Sequence, residues 1–368
     1  MINKERLLNT FLEYVQIDSE SGKEAAFAAR LAADLEAIGC QVYIDDTTAR
    51  TGADTGNVYA TLPGNTDGEP ILFSAHMDTV VPGVGIVPVV EDGIIRSEGN
   101  TILGGDDKSG VVAVVEGLRT IVDKNLPHPT IQGVFSVSEE VGLKGAKAIE
   151  LDKLAGQKIV VLDSGGDAGS ITNAAPGQYK ITAAVVGRRA HAGVAPEEGI
   201  SAVQVMAEAI ANMKLLRIDE ETTANIGVIR SDFPANIVPD RCEILAEARS
   251  RDNDKLEAQT KHMVDCLKAA CEKYGAVLEC ETAKMYAAYS YTEEDPFVQE
   301  IIAACEKVGL TPVLAASGGG SDANIYNGMG YKAVNLGTGM AKVHTTSEEI
   351  SIKNLEDTAK LVLAIMLG

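Results

Sequence analysis

Five places in this 368-residue sequence set histidines or carboxylates where a fold could gather them. The most informative is ILFSAHMDTV (residues 71–80), an apolar strand ending on His76 with Asp78 two residues later. Period-two geometry sets both side chains on one side of the chain, so Asp78 can accept a hydrogen bond from one imidazole nitrogen while the other binds a metal. A lone His-x-Asp is more often a strand-end histidine followed by a turn-forming aspartate. Thirty residues on, Asp106 and Asp107 stand side by side in the Gly-rich turn LGGDDKSG, just before the apolar run VVAVVEGL. Either could equally be an ordinary helix N-cap. Lys108-Ser109 is like the end of a phosphate-binding loop, but Asp107 stands where that loop needs glycine, and two acids repel a phosphate. Next, strand GVFSVS runs into Glu139-Glu140 and strand KIVVL into Asp163. Paired glutamates are common on solvated loops, yet strand ends are where open α/β sheets put their sites. His344 follows strand KAVNLG in the polar segment AKVHTTSEE. Four strand-end regions and one helix start thus converge on the same chemistry, which chance explains less well than any one of them.

To share one site, these groups need a sheet whose strand ends meet at one edge. Apolar periodicity predicts helices near 3–16 and 22–39, strands near 40–45, 57–62 and 71–76, a helix from Ser109 to about Lys124, and strands at 131–138 and 158–163. Helices alternating with short Val/Ile-rich strands point to an α/β fold whose sheet is at least partly parallel. From Gly177 the texture changes to strand QYKITAAVVG, a helix from Ser201 to Leu216, strands NIGVIR and RCEILAEARS, a helix from about Asp254 to Tyr274, and strand AVLECETAKM. That β-α-β-β-α-β order matches a ferredoxin-like unit. After about Tyr286 the earlier alternation resumes, through DPFVQEIIAACEKVGL, TPVLAAS and KAVNLG to a final helix from Leu355. The expected organisation is a larger domain, residues 1–175 and 286–368, carrying an inserted domain at 176–285.

The length agrees, since single cores usually stop growing beyond about 250–300 residues. Hydrophobic residues at 45% and charged residues at 23% fit a globular chain, and 4% aromatics with no Trp leave few stacking platforms for bases. A net charge of −21, from 32 basic against 53 acidic residues, opposes binding to a phosphate backbone or an anionic membrane. Neither nucleic acid nor membrane is an expected partner. No run approaches the ~18 apolar residues of a membrane span, and MINKERLLNTFLEYVQI reads as an amphipathic helix, not a signal. Cys40, Cys242, Cys266, Cys271, Cys280 and Cys305 form no CxxC pair and sit among apolar residues, which predicts buried free thiols in a reducing, cytoplasmic compartment. His128 and His262 match no motif and are expected at the surface. With no G-x-S-x-G elbow and no Cys beside His in a motif, a covalent nucleophile is not expected, and the absence of GxGxxG and Walker A sequences disfavours a nucleotide-binding protein.

HMDTV, GGDDKSG, SEEVG, LDSGG and VHTTSEE, in this order and at these separations, closely resemble the M20 family of co-catalytic zinc peptidases and deacylases, especially its peptidase T-like branch. The resemblance spans essentially the whole chain. It implies an α/β zinc-aminopeptidase-type catalytic domain, a mixed sheet flanked by helices, with an inserted ferredoxin-like α+β lid that usually also dimerises. Carried over by position, it makes His76 and Asp163 ligands of one zinc, Glu140 and His344 ligands of the other, and Asp106 the bridging carboxylate. Asp107 is then a neighbour, Asp78 orients His76, and Glu139 is the general acid/base. Two His and three carboxylates suit two Zn2+, and Co2+ or Mn2+ could occupy the same set. Two cations about 3.5–4 Å apart can share a water, lower its pKa and polarise a scissile carbonyl. Glu139 would relay the proton to the leaving amine.

In the inserted domain, GRRAHAGVAPEEG matches the family's histidine segment, implying that His191 reaches the oxyanion, in dimeric relatives from the partner subunit. FPANIVP with Asn236 and ARS with Arg249 resemble its substrate clamp, in which Arg249 grips a peptide carboxylate through its planar fork. Pairing of Arg249 with acids of the lid is the alternative. SGGGSDAN, with Gly319 and Gly320, would bring backbone N–H groups close to substrate or else form a turn capping the next helix. The expected function is hydrolysis of the N-terminal peptide bond of short peptides such as tripeptides by a dinuclear zinc enzyme, homodimeric through the lid. An M20-type N-acyl-amino-acid deacylase or carboxypeptidase is the rival, because the same metal core serves both. A peptide- or metabolite-binding protein without catalysis fits less well, since every implied ligand and Glu139 is present.

Overall fold

Parallel strands buried on both faces read as continuous apolar runs, and the centre of this fold is made of them. The computed structural model describes residues 2–368. Two compact units share the chain: the first comprises the residues through Ala174 with Tyr291–Ser317 and Ser321–Gly368, the second Ala175–Ser290 with Gly318–Gly320. In the first unit a mixed sheet runs in the order Gln41–Ile44, Val58–Leu62, Ile131–Ser136, Ile71–His76, Lys158–Ser164, Lys332–Gly337 and Ser170–Ala175, with Val313–Ala316 joined to the last. The four strands from Ile131–Ser136 to Lys332–Gly337 are parallel, whereas Gln41–Ile44 and Val58–Leu62 extend the sheet antiparallel. Ile71–His76 and Ile131–Ser136 are buried at every position. Register does the positioning: His76 lies opposite Ser136 and Ser74 opposite Val161, so the chain leaves His76, Ser136 and Asp163 at one edge.

Helices Lys4–Val15, Ala25–Ile38, Gly105–Lys124, Pro296–Lys307 and Ile352–Leu367 close the apolar core around that sheet. Gly105–Lys124 is the most deeply set, buried almost throughout its Val- and Ala-rich length. Its first acids, Asp106 and Asp107, lie outside helical φ/ψ and are joined by a cis peptide, so the regular helix begins after them, close to the expected Ser109. Gly110 explains how close this helix start comes to strand Lys158–Ser164. An added Cβ would fall 2.5 Å from Asp107 Oδ1 and 2.6 Å from the Leu162 carbonyl oxygen. Helix Lys4–Val15 is tied to the same element by Arg6, whose Nε and Nη2 donate to Glu116 at 2.7 and 2.9 Å, with the Asn3 N–H adding a third bond at 2.7 Å. Glu116 tolerates 2% exposure because this fork satisfies both of its oxygens.

The hairpin of Pro88–Glu91 and Ile94–Ser97 is not among the expected strands: its two four-residue strands are short and half exposed, which leaves little apolar period to read. It pairs with Glu349–Ser351, which pairs with Met340–Ala341, and the loop between those two strands carries His344. The second unit has the antiparallel order Leu216–Arg217, Thr222–Arg230, Arg241–Ser250, Gly177–Val186, Val277–Tyr286. Helices Ala202–Asn212 and Asn253–Tyr274 bury one face of it against Ile181, Ala183, Val185, Ile244, Ala246 and Ala248. This is the ferredoxin-like pattern expected from the strand and helix order.

Two expectations need correction. Cys280 is exposed and Cys266 half-buried, unlike the other four thiols: Cys280 lies on Val277–Tyr286, an edge strand that leaves most of its residues in solvent, and Cys266 lies outside the buried face of helix Asn253–Tyr274. His128 is buried, with its N–H donating to Asn65 Oδ1 at 2.9 Å and Nδ1 donating to the Pro129 carbonyl at 2.7 Å, so it serves the turn it sits in. Among the described residues no helix is long and apolar enough to cross a membrane. Glu116→Ala strips the acceptor from Arg6, the Asn3 N–H and Thr120, and should lower the unfolding free energy by about 2–3 kcal/mol in urea titrations. A loss under about 0.5 kcal/mol would reduce the pair to an ordinary surface contact.

Candidate metal centre

At the shared edge, His76 Nε2 lies 3.0 Å from Asp106 Oδ1 and 3.8 Å from Asp163 Oδ1. His344 Nε2 lies 2.9 Å from Glu140 Oε1 and 3.3 Å from Asp106 Oδ2. Asp106 therefore turns one oxygen to each imidazole. Ligand atoms of His76, Asp106 and Glu140 fall within 4.8 Å of one another, as do those of His76, Asp107 and Asp163. Asp107, expected as a bystander, thus joins a cluster, although its oxygens also accept the His76 and Gly110 N–H groups, each at 3.2 Å.

His76 Nδ1 meets the Asp78 backbone carbonyl at 2.9 Å, which makes Nδ1 a donor and leaves Nε2 as the nitrogen that faces Asp106 and Asp163. The Asp78 carboxylate is farther from Nδ1, at 3.5 Å. Its oxygens are turned instead to Ser21 Oγ at 2.6 Å and to the N–H groups of Glu139 and Glu140 at 2.8 and 3.2 Å. Asp78 acts on His76 mainly through the backbone, because the loop amides claim its side chain.

Charge is the governing quantity here. Burial pushes the carboxyls of Asp107, Asp163 and Glu139 well above the usual range, and neighbouring acids push Asp163 and Glu139 further. For Asp106 burial acts the same way, but hydrogen bonds from His344 and His76 outweigh it and hold the carboxyl well below that range. Burial lowers His76, yet Asp106 and Asp78 more than offset it, while hydrogen bonds to Asp106 and Glu140 raise His344 to about 10. Buried acids outnumber the two imidazoles, and such an excess is stable only when protons or cations neutralise it. Two imidazole nitrogens and several carboxylate oxygens, with one carboxylate shared, form a donor set that fits divalent cations of the zinc, manganese or cobalt type.

Three buried acids near this site carry no signal that separates them from neighbouring charges. Glu348 accepts the N–H groups of Leu103, Gly104 and Asp106 at 2.8, 2.9 and 2.9 Å, holding the turn that presents Asp106. Its only hint is its place in the TTSEE run after His344. Asp322, read above as part of a glycine-rich turn, accepts Ser136 Oγ at 2.5 Å, and burial lifts its carboxyl to about 6. Glu24 accepts both the N–H and the hydroxyl of Ser138. Asn335 also brackets Asp163, accepting its N–H at 2.8 Å and donating to its carbonyl at 2.7 Å.

The remaining residues singled out in the sequence lie in the second unit. His191 sits on a two-residue strand paired with Ile237–Val238, and the Ala192 N–H donates to the Asn236 carbonyl at 2.9 Å. Gly193 N–H donates to His191 Nδ1 at 3.2 Å, so the neutral ring carries its proton on Nε2. Arg249 Nε and Nη2 donate to Glu247 at 3.0 and 3.1 Å, which is the ion pair weighed above as its alternative. Gly320 packs where a Cβ would fall 2.4 Å from the Tyr286 ring, so packing alone demands glycine there. Gly319 belongs to the same short stretch.

Known proteins share this architecture. The profile of Peptidase family M20/M25/M40 matches residues 72–368. The chain is similar to the solved structure of aminopeptidase PepT from Bacillus cereus ATCC 10987, with a TM-score of 0.95 and 46% identity over 100% of this chain and 98% of that one. It is similar to a tripeptidase from Staphylococcus aureus subsp. aureus mu50, with a TM-score of 0.96 and 39% identity over 100% and 98% of the two chains. An uncharacterized Bacillus subtilis (strain 168) protein, YqjE, is 44% identical over 100% of this chain and 99% of its own length. The fold, the strand-end cluster and a match over most of the length together make this chain a member of peptidase family M20/M25/M40.

Proposed function

We propose that this M20 peptidase is a dinuclear zinc aminopeptidase that removes the first residue of short peptides, tripeptides among them. The reading is carried by Asp106, whose two oxygens face the Nε2 atoms of two different histidines at 3.0 and 3.3 Å. A carboxylate so placed is suited to bridge two cations. His76, Asp163 and Asp106 would hold one, and His344, Glu140 and Asp106 the other. Bound there, the ions supply Lewis acidity to the scissile carbonyl and to the attacking water. The similar structures described as an aminopeptidase and a tripeptidase support the choice of substrate.

The chain's own residues then divide the work. Glu139, adjacent to Glu140, takes the proton of the attacking water and returns it to the departing amine. Its backbone is fixed by the bond from its N–H to Asp78 Oδ1, which orients the carboxyl without occupying it. His191 donates its Nε2 proton to the carbonyl oxygen as that oxygen gains charge. Arg249, Asn236, Gly319 and Gly320 contact the peptide, with Arg249 directed at its carboxylate. A homodimer formed through the second unit, working in the cytoplasm, completes the proposal.

Metal content and a substrate panel test it together. The enzyme should hold about two metal ions per chain, lose turnover on chelation, and regain it with Zn2+. Only a tripeptide with a free N-terminus should be cut, releasing its first residue. Cleavage confined to the N-acetylated tripeptide or to an N-acetyl amino acid would replace aminopeptidase with deacylase, and release of the last residue would make it a carboxypeptidase. Glu139→Ala should keep both metals and lose about 10²–10⁴-fold or more in kcat, so near-wild-type turnover would remove Glu139 from the mechanism. His191→Ala should lower kcat with metal content unchanged. Loss of metal from that variant would move His191 out of its proposed role.

A further inference from the structure

Strand Ile131–Ser136 runs out of ladder partners at Ser136, yet Val137 and Ser138 remain buried, so their N–H groups need acceptors inside the protein. Side chains supply them. Val137 N–H donates to Asn57 Oδ1 at 3.1 Å, Ser138 N–H and Oγ to Glu24 Oε1 at 2.9 and 3.0 Å, and the Glu139 and Glu140 N–H groups to Asp78 at 2.8 and 3.2 Å. With Ser136 Oγ on Asp322, five consecutive residues are each gripped by a side chain from another part of the chain.

Within this set Glu24 stands apart. It is fully buried, its Oε1 also accepts the Gly22 N–H at 3.0 Å, and its Oε2 has no partner among the described residues. A buried carboxyl with one oxygen crowded and the other unpartnered is a poor choice for stability alone. What it holds is unusual too, because Ser138 has φ +53°, the left-handed region that residues with a Cβ seldom occupy. Both bonds from Ser138 to Glu24 fix that conformation, and the next residue is Glu139.

We infer that Glu24 is a positioning residue for the reaction: by locking Ser138 in the left-handed conformation it sets the direction in which Glu139 leaves the loop. The inference rests on Glu139 being the acid/base group of the proposed mechanism. Glu24 itself touches neither the ligand cluster nor, in this role, the substrate.

Steady-state kinetics on a tripeptide with the metal-loaded full chain tests it, using Glu24→Ala, Glu24→Gln and, beside them, Glu139→Gln. Glu24→Ala should lose about 30- to 100-fold in kcat with KM within about 3-fold of wild type, since a misplacement near 1 Å costs rates of that order. Its metal content should be unchanged. Glu24→Gln keeps an oxygen where Oε1 lies and should recover to within about 5-fold of wild-type kcat. Unchanged kcat in Glu24→Ala, an equal deficit in Glu24→Gln, or metal loss parallel to the activity loss would each overturn the proposal. Should Glu24→Ala fail to fold, Ser138→Ala decides: it keeps the amide bond, loses the hydroxyl bond and should cost several-fold in kcat, and no change would sink the idea. An inactive Glu139→Gln beside a fully active Glu24→Ala removes the positioning role alone, whereas an active Glu139→Gln removes the acid/base reading and this inference with it.

Discussion

Too many carboxyl groups in too little water is the condition on which the rest of this structure depends. Asp78, Asp106, Asp107 and Asp322 are buried at one sheet edge, Asp163 and Glu139 stand partly buried beside them, and the compensating charge comes from His76 and His344, with Lys147 acting on Asp322. Parallel register makes this unavoidable, because the strands that end in these residues all point the same way. Each acid raises its neighbours, so protons can neutralise the cluster only by being shared among groups that titrate as a set. Divalent cations resolve the conflict at once, allowing the carboxylates to ionise and the imidazoles to lose their protons. Occupancy and stability are then linked, since the ions would bind the folded arrangement and not the unfolded chain.

The acids fall into two kinds by what their oxygens face. Asp106, Asp163 and Glu140 look toward the histidines, whereas Asp78, Glu348 and Glu24 look back at the chain and accept backbone N–H groups. Four of the five ligand candidates have their own amide held this way: His76 by Asp107, Asp106 by Glu348, Glu140 by Asp78 and Asp163 by Asn335. The reason is structural economy at a strand end. The ladder stops, the backbone is still buried, and a side-chain oxygen completes the bond that a neighbouring strand would otherwise make. The consequence is a rigid outer shell, the condition for holding reactive groups within a fraction of an ångström of where they act.

This division also explains what can be read in the sequence and what cannot. His76, Asp106, Glu139, Glu140, Asp163 and His344 are legible because each follows an apolar strand or opens an apolar helix, and composition changes sharply at those points. The α/β alternation and the inserted β-α-β-β-α-β run are legible for the same reason. Glu24 and Glu348 are not. Glu24 stands in SGKEAAF, where an acid before a helix is the commonest of surface patterns, and only the burial created by distant strands turns it inward. His128 fails in the opposite direction: a histidine between two prolines looks solvent-exposed, yet it is buried, with its N–H bonded to Asn65 and its ring to the Pro129 carbonyl. Periodicity reports which face of an element is apolar, and it is silent about polar side chains that are buried to serve a backbone elsewhere.

Selectivity calls for a different physics from the metal cluster. The same donor set suits amide hydrolysis whether the substrate offers a free amine or an acyl cap, so the groups that choose between them must lie outside it. Arg249 illustrates the constraint. Its fork is engaged bidentately by Glu247, and Gln178 donates to the same carboxylate at 2.5 Å. In the proposed role, a peptide carboxylate arriving at Arg249 would exchange one anionic partner for another, and the Coulomb energy of the new pair would be largely offset by the loss of the old one. Discrimination at such a residue rests on geometry. On the proposed role, a substrate would be selected by whether it can present its carboxylate in the plane of the guanidinium.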